Sequence, residues 1–116
     1  MITITRRTAR RLRAVVRGAL GLSGGSGPSI LFQARNDCLR VCAVSDTVVA
    51  EFQCAGEFDD EQIWVPYESL AACEARNDDP VQFEVRSGHL TVLWRDNSGP
   101  QMVRHEVTEN GEGGPS

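Results

Sequence analysis

The residues best suited to chemistry are six arginines that lie close together near the N-terminus. They recur at spacings that repeat over helical turns, and they are Arg6, Arg7, Arg10, Arg11, Arg13 and Arg17. A guanidinium group is always charged and donates several N–H groups, so it suits phosphate and carboxylate partners. No acidic residue interrupts the set, whereas solvated surfaces normally mix both signs of charge. The pattern therefore predicts a binding surface for an anionic partner.

Charge is unevenly distributed over the whole chain as well. The 116 residues include 12 arginines, no lysine and 16 acidic residues, for a net charge of −4. Residues 1–36 contain seven arginines and no acid, whereas residues 37–116 contain five arginines and all 16 acids. This asymmetry indicates a nucleic-acid or membrane partner. Because no apolar run reaches the roughly 18 residues of a membrane span, we expect a cytoplasmic protein with no membrane partner.

An Arg-rich, acid-free N-terminus is also typical of a transit peptide. Ile2 and Ile4 alternate with Thr3 and Thr5, which favours a strand at the start of a folded domain. The regular helical pattern that follows favours the same interpretation. The transit peptide remains the alternative.

Other polar residues give no positive support for catalysis. His89 and His105 lack the spacing of a zinc finger, and neither belongs to a Ser or Cys arrangement that suggests a triad. The segment Gly24–Gly27 lacks the Lys of a phosphate-binding loop, and Asp59–Glu61 lacks the spaced oxygen ligands of a calcium loop. We therefore expect no enzyme activity, no metal and no cofactor.

The four cysteines contain no C-x-x-C pair, and they are Cys38, Cys42, Cys54 and Cys73. We expect reduced thiols in and near the core of a cytosolic protein. A disulfide or a metal site is the alternative.

Periodicity places the arginines on a helix over Arg6–Leu20. The apolar residues of this segment fall within an arc of about 140° at 100° per residue. Arg6, Arg10, Arg13 and Arg17 fall within about 60° on the other side of the helix. This predicts an amphipathic helix whose apolar side packs on a core. Gly21 ends the helix, and Gly21–Ser29 is predicted to be a loop.

The rest of the chain predicts a second helix over Pro66–Arg76, opened by its proline, and eight strands. The strands are Met1–Thr5, Ile30–Arg35, Cys38–Val44, Thr47–Cys54, Gln62–Val65, Val81–Arg86, His89–Arg95 and Gln101–Val107. The order is β-α-β-β-β, repeated once. This indicates an α+β fold in which two helices pack on one face of mainly antiparallel sheet. Residues 1–107 form a single domain, and residues 108–116 are predicted to be a polar, Gly-rich tail or linker.

At this level the chain resembles one domain of the DNA sliding clamps. This is the family of the bacterial DNA polymerase III β subunit and, more distantly, of PCNA. The similarity covers residues 1–107 and includes the element order and four segments. These segments are M-I-T-I-T, L-R-V-C-A-V-S-D, I-W-V-P-Y-E-S-L and V-Q-F-E-V-R-S-G-H-L-T-V-L-W. The resemblance concerns fold, and fold alone does not determine function.

The resemblance implies a non-catalytic domain that contacts duplex DNA. In clamps the helices line the inner wall of a ring, and their basic residues face the phosphates without reading bases. For this chain it implies that Arg6, Arg7, Arg10, Arg11, Arg13 and Arg17 contact the DNA backbone. It also implies self-association or further clamp domains as partners. If four arginines each neutralise one phosphate, the slope of log K against log salt is roughly −3.6.

The second helix differs from the family because it carries Glu68 and Glu74. An acidic helix favours a different class of function, namely a protein-interaction or assembly module that has the clamp fold and has lost DNA binding. Two other interpretations also remain open. The arginine helix could dock on an acidic partner, or it could be an ordinary solvated face.

Overall fold

The computed structural model describes residues 1–21, 29–44 and 49–106. In chain order the elements are β1 (Ile2–Thr5), α1 (Arg6–Leu20), β2 (Ser29–Arg35), β3 (Cys38–Val44), β4 (Val49–Ala55), β5 (Glu61–Pro66), α2 (Tyr67–Cys73), β6 (Pro80–Arg86), β7 (His89–Asp96) and β8 (Gly99–Glu106). The predicted α+β architecture is confirmed, and the predicted bounds of the first helix agree with α1. Most of the predicted loop Gly21–Ser29, the predicted turn at Ser45-Asp46 and the predicted tail lie outside the described residues.

Eight strands form two antiparallel sheets of four. The first sheet has the order β1-β6-β7-β8, and the second has the order β4-β3-β2-β5. Each half of the chain therefore supplies its opening strand to the sheet of the other half. Ile2 of β1 lies opposite Phe83 of β6, and Ile63 of β5 lies opposite Phe32 of β2. This exchange adds to the predicted duplication, because it joins the two halves into one folding unit.

The core lies between the helices and the inward faces of both sheets. Alternation along β2 and β3 buries every second residue, as expected for sheets with one solvated face. One continuous cluster includes Leu12 of α1, Leu70 of α2, and residues of both sheets such as Phe32 and Phe83. All four side chains are fully buried. The helices therefore share one core, and each covers part of the same apolar surface.

The second helix is shorter than the predicted Pro66–Arg76. It ends at Cys73, and Pro66 is its N-cap and not its first helical residue. Glu74 is extended, with φ −67° and ψ 149°, while its N–H still bonds to the carbonyl of Leu70 at 3.1 Å. The following residues run beside the start of α1 and bond to it, so tertiary contacts replace the helical ones.

Candidate nucleic-acid interface

The start of α1 and the end of α2 satisfy each other's free backbone groups. The first N–H groups of a helix lack intrahelical partners, and here Arg6 N–H donates to the Asp79 carbonyl at 2.8 Å. Arg7 N–H donates to the Asn77 carbonyl at 2.9 Å. Thr5 caps the third position, because its hydroxyl oxygen accepts from Thr8 N–H at 3.0 Å. The segment after α2 is thereby fixed against α1.

Arg6 completes this junction from the other direction. Its Nε donates to the Cys73 carbonyl at 2.9 Å, and its two terminal nitrogens donate to the carbonyls of Arg95 and Glu74 at 3.1 and 3.4 Å. Only 9% of Arg6 is exposed. The negative end of the α2 dipole lies at these carbonyls, which favours a cation there. The structure thus places Arg6 in the junction between the helices and not on the outer surface.

This placement reflects how α1 is rotated on the core. Val15 and Ala19 belong to the predicted apolar arc, yet both are exposed. Arg6 belongs to the predicted basic arc and is buried. The buried side of α1 is therefore turned toward α2, and the arginine arc lies on the flank that faces α2. The fully outward side carries Arg7, Arg11 and the small residues Ala14 and Gly18.

Arg10 and Arg13 lie on the flank toward α2 and share one acidic partner. Arg10 Nη1 is 3.1 Å from Glu74 Oε1, and Arg13 Nη1 is 3.1 Å from Glu74 Oε2. The hydrogen bond to Glu74 raises the pKa of the Arg13 guanidinium, while burial opposes the rise. Arg13 also lies over the ring of Tyr67, 6.0 Å from its centroid. These two arginines are therefore held in place by α2.

The other three arginines are more open to solvent. Arg7 pairs with Asp78 at 3.2 Å, and more than half of each side chain is exposed. Arg11 lies over the ring of Phe52 on β4, 5.7 Å from the centroid. Within residues 1–21, 29–44 and 49–106, neither Arg11 nor Arg17 has an acidic group within 4.0 Å. These two are the most available cations of α1.

Sequence reasoning missed the pairing of Glu74 and Asp78 with these arginines. The acidic character of the α2 region was visible, but the sequence did not show that it lies directly beside α1. The signal was the repeated acidic spacing after Pro66. Opposite charges on neighbouring helices would have predicted such pairs.

Other candidate groups are dispersed. Ser69 Oγ and His105 Nε2 are 2.8 Å apart and join α2 to β8, but Ser69 is only 1% exposed. All four cysteines are free thiols, and burial raises the pKa of Cys73 to about 12. Among the described residues, no group of three or more His, Cys, Asp or Glu side chains could hold a metal ion. No helix within residues 1–21, 29–44 and 49–106 is long and apolar enough to cross a membrane.

Comparison with known proteins supports the fold. No protein-family model matches the chain, and no curated protein matches it by sequence. Among solved structures, it is similar to a candidate DNA polymerase III beta subunit from Eubacterium rectale, with a TM-score of 0.70 and 14% identity. The alignment covers 93% of this chain and 31% of the other, so this chain spans less than a third of that protein's length. The chain therefore has the fold of one part of that beta subunit.

Proposed function

We propose that this chain is a non-catalytic, sliding-clamp-related domain whose α1 contacts the backbone of duplex DNA. The observation that carries the proposal is the basic surface of α1, seen on a fold shared with a candidate polymerase beta subunit. Phosphate contacts by arginine give affinity that is independent of sequence and sensitive to salt. A non-specific contact of this kind suits a domain that must move along DNA.

The arginines differ in the part they play in this proposal. Arg11 and Arg17 are the primary phosphate contacts because they are exposed and have no acidic partner in the described part of the chain. Arg7, Arg10 and Arg13 contribute after their pairing with Asp78 and Glu74 is weakened. The guanidinium of Arg6, which is buried in the helix junction, holds α1 and α2 together.

Small residues on α1 support close approach of a duplex. Ala14 is exposed, and its helical neighbours three and four residues away include Arg10, Arg11 and Arg17. Gly18 is also exposed, and a Cβ at this position would meet nothing within 4 Å. A phosphate backbone could therefore reach the arginines without a bulky side chain between them.

The partners of such a domain would include further copies of itself or further clamp domains. The strands β4 and β8 each lie at the end of a sheet and are paired on one side only within the described residues. Unpaired strand edges are ready surfaces for pairing with another chain. The mass of the protein in solution tests this directly: we expect an oligomer, and a stable monomer at micromolar concentration would contradict self-association.

The test of DNA contact compares two double variants of equal charge. Arg11→Glu with Arg17→Glu removes the proposed primary contacts, while Arg86→Glu with Arg104→Glu changes two exposed arginines on the outward face of the first sheet. Fluorescence anisotropy with a random-sequence duplex gives the affinity over a salt series. The first variant should lose most of the affinity and flatten the salt slope by about 1.8. Equal losses in both variants, or no binding by the unmodified protein at low salt, would overturn the proposal.

A second candidate is a protein-interaction module with the same fold and no DNA binding. The pairing of three of the α1 arginines with acids near the end of α2 favours it, since paired cations attract phosphate less. The same anisotropy series separates the candidates: a module of this kind would not bind duplex DNA even at the lowest salt concentration.

A further inference from the structure

Glu74 occupies a distinctive position beside α1. Each of its two carboxylate oxygens lies 3.1 Å from a different arginine, one from Arg10 and one from Arg13. These arginines are one helical turn apart on α1. Two oxygens that carry a shared negative charge and span two guanidinium groups resemble the arrangement that a phosphate diester would present to the same pair.

The side chain of Glu74 is also separable from the structural role of its backbone. Its N–H bonds to the Leu70 carbonyl, and its own carbonyl accepts from Arg6. The carboxylate contacts only the arginines among the side chains of the described residues. Arg10 remains 43% exposed and Arg13 25% exposed, so a ligand could reach both from the solvent side.

We propose that Glu74 is an intramolecular competitor of the DNA backbone for Arg10 and Arg13. In the free protein its carboxylate occupies the two guanidinium groups and reduces their attraction for phosphate. A duplex that binds on α1 must either displace this carboxylate or lie beside a like charge, and both alternatives weaken binding. The charge at position 74 therefore sets how tightly α1 holds DNA. This inference rests on the proposed function.

The experiment replaces Glu74 with Gln and uses Glu84→Gln as the matched control. Glu84 is half-buried on the outward face of the first sheet, where it pairs with Arg86 at 3.3 Å. Both variants lose one negative charge, but only one of them frees arginines of α1. With a random-sequence duplex at low salt, Glu74→Gln should bind about three- to tenfold more tightly than the unmodified protein. Glu84→Gln should change affinity less than twofold.

The salt dependence gives a second readout. If Arg10 and Arg13 both gain a phosphate, the slope of log K against log salt should steepen by up to about 1.8. The same Glu74→Gln change made together with Arg10→Gln and Arg13→Gln should give no gain, because no freed cation remains. A gain that persists in that background would show a general charge effect and overturn the inference.

Each outcome has a definite meaning. If the unmodified protein binds DNA and Glu74→Gln binds no more tightly, this inference fails while the proposed function stands. If the unmodified protein does not bind DNA at any salt concentration, both fail. Circular dichroism checks that the variant is folded. If it is not, Glu74→Asp, which keeps the charge but withdraws it from the two arginines, should still bind more tightly, and an unchanged affinity would overturn the inference.

Discussion

The phenyl rings of Phe32 and Phe83 meet in the core with their centroids 5.2 Å apart and their planes inclined at 57°. The two residues occupy corresponding positions, since β2 and β6 each pair with the opening strand donated by the other half. The contact therefore joins the two sheets at the centre of the duplicated architecture. Tilted aromatic pairs of this kind stabilise a core beyond the area that they bury.

Replacing either phenylalanine with alanine should destabilise the protein strongly. For Phe83→Ala we expect the free energy of unfolding to fall by about 3–5 kcal/mol, because a large cavity replaces a fully buried ring. Urea denaturation measures the change. Met102→Ala is the control, since Met102 is 57% exposed and should change stability by about 0.5 kcal/mol or less. A loss below about 1 kcal/mol at Phe83 would contradict the central position of this pair.

Arg6 should matter for stability, whereas Arg17 should not. In Arg6→Ala three carbonyl groups at the helix junction lose their donor, and we expect a loss of about 2–4 kcal/mol. Arg17→Ala removes an exposed guanidinium and should change the free energy of unfolding by about 0.5 kcal/mol or less. Thermal unfolding of both variants at the same salt concentration provides the comparison. Equal stability of the two would show that the junction does not depend on Arg6.

A negative charge in the middle of the exposed side of α1 should disrupt DNA binding. Ala14→Glu would place a carboxylate among Arg10, Arg11 and Arg17, and we expect affinity for duplex DNA to fall about tenfold at low salt. Ala72→Glu puts the same charge on an exposed position of α2. It should reduce affinity less, and the two dissociation constants can be compared by anisotropy. An equal or larger loss at Ala72 would place the centre of the interface on α2.

The Cys73 thiol should make stability fall with rising alkaline pH. Burial raises its pKa from about 9 to about 12 in the folded protein. Above pH 9 the unfolded chain therefore loses this proton while the folded chain retains it, so the folded state binds more protons. Stability is unaffected below about pH 9 and decreases between about pH 9 and 12.

The measurement compares the unmodified protein with Cys73→Ala over that pH range. The variant lacks this titration, so its free energy of unfolding should decline less steeply with pH. Parallel pH profiles would contradict the raised pKa. Thiol labelling at pH 8 gives a second check, since buried Cys73 should react only when the protein unfolds.

Local patterns predicted much of the fold, because they depend on neighbours in sequence. The bounds of α1 followed from 3.6-residue periodicity, a Thr before its start and Gly21 after its end. The hairpin of β2 and β3 followed from alternation around Asn36-Asp37. The end of α2 could not be predicted in this way. Residues after Cys73 bond to the start of α1, some seventy residues earlier in the chain, and this contact replaces a further helical turn.

The candidate site was predicted in composition but not in orientation. A helical projection gives the angles between Arg6, Arg13 and Val15, but it does not show which angle points at the core. That rotation depends on α2, whose Tyr67 and Cys73 pack beside α1 and whose terminal carbonyls bind Arg6. The exchange of opening strands was unpredictable for the same reason, since sheet partners far apart in sequence leave no local signal.

The exchange of opening strands has a consequence for synthesis of the protein. The partner of β1 is β6, about eighty residues further along the chain. At a synthesis rate of about 5–20 residues per second, Ile2 and Ile4 emerge roughly 4–16 s before the strand that covers them has been made. During that interval the apolar side of β1 has no native partner in its sheet. The nascent chain must therefore complete its first strand pairing near the end of translation, when protection by a chaperone would have the greatest effect.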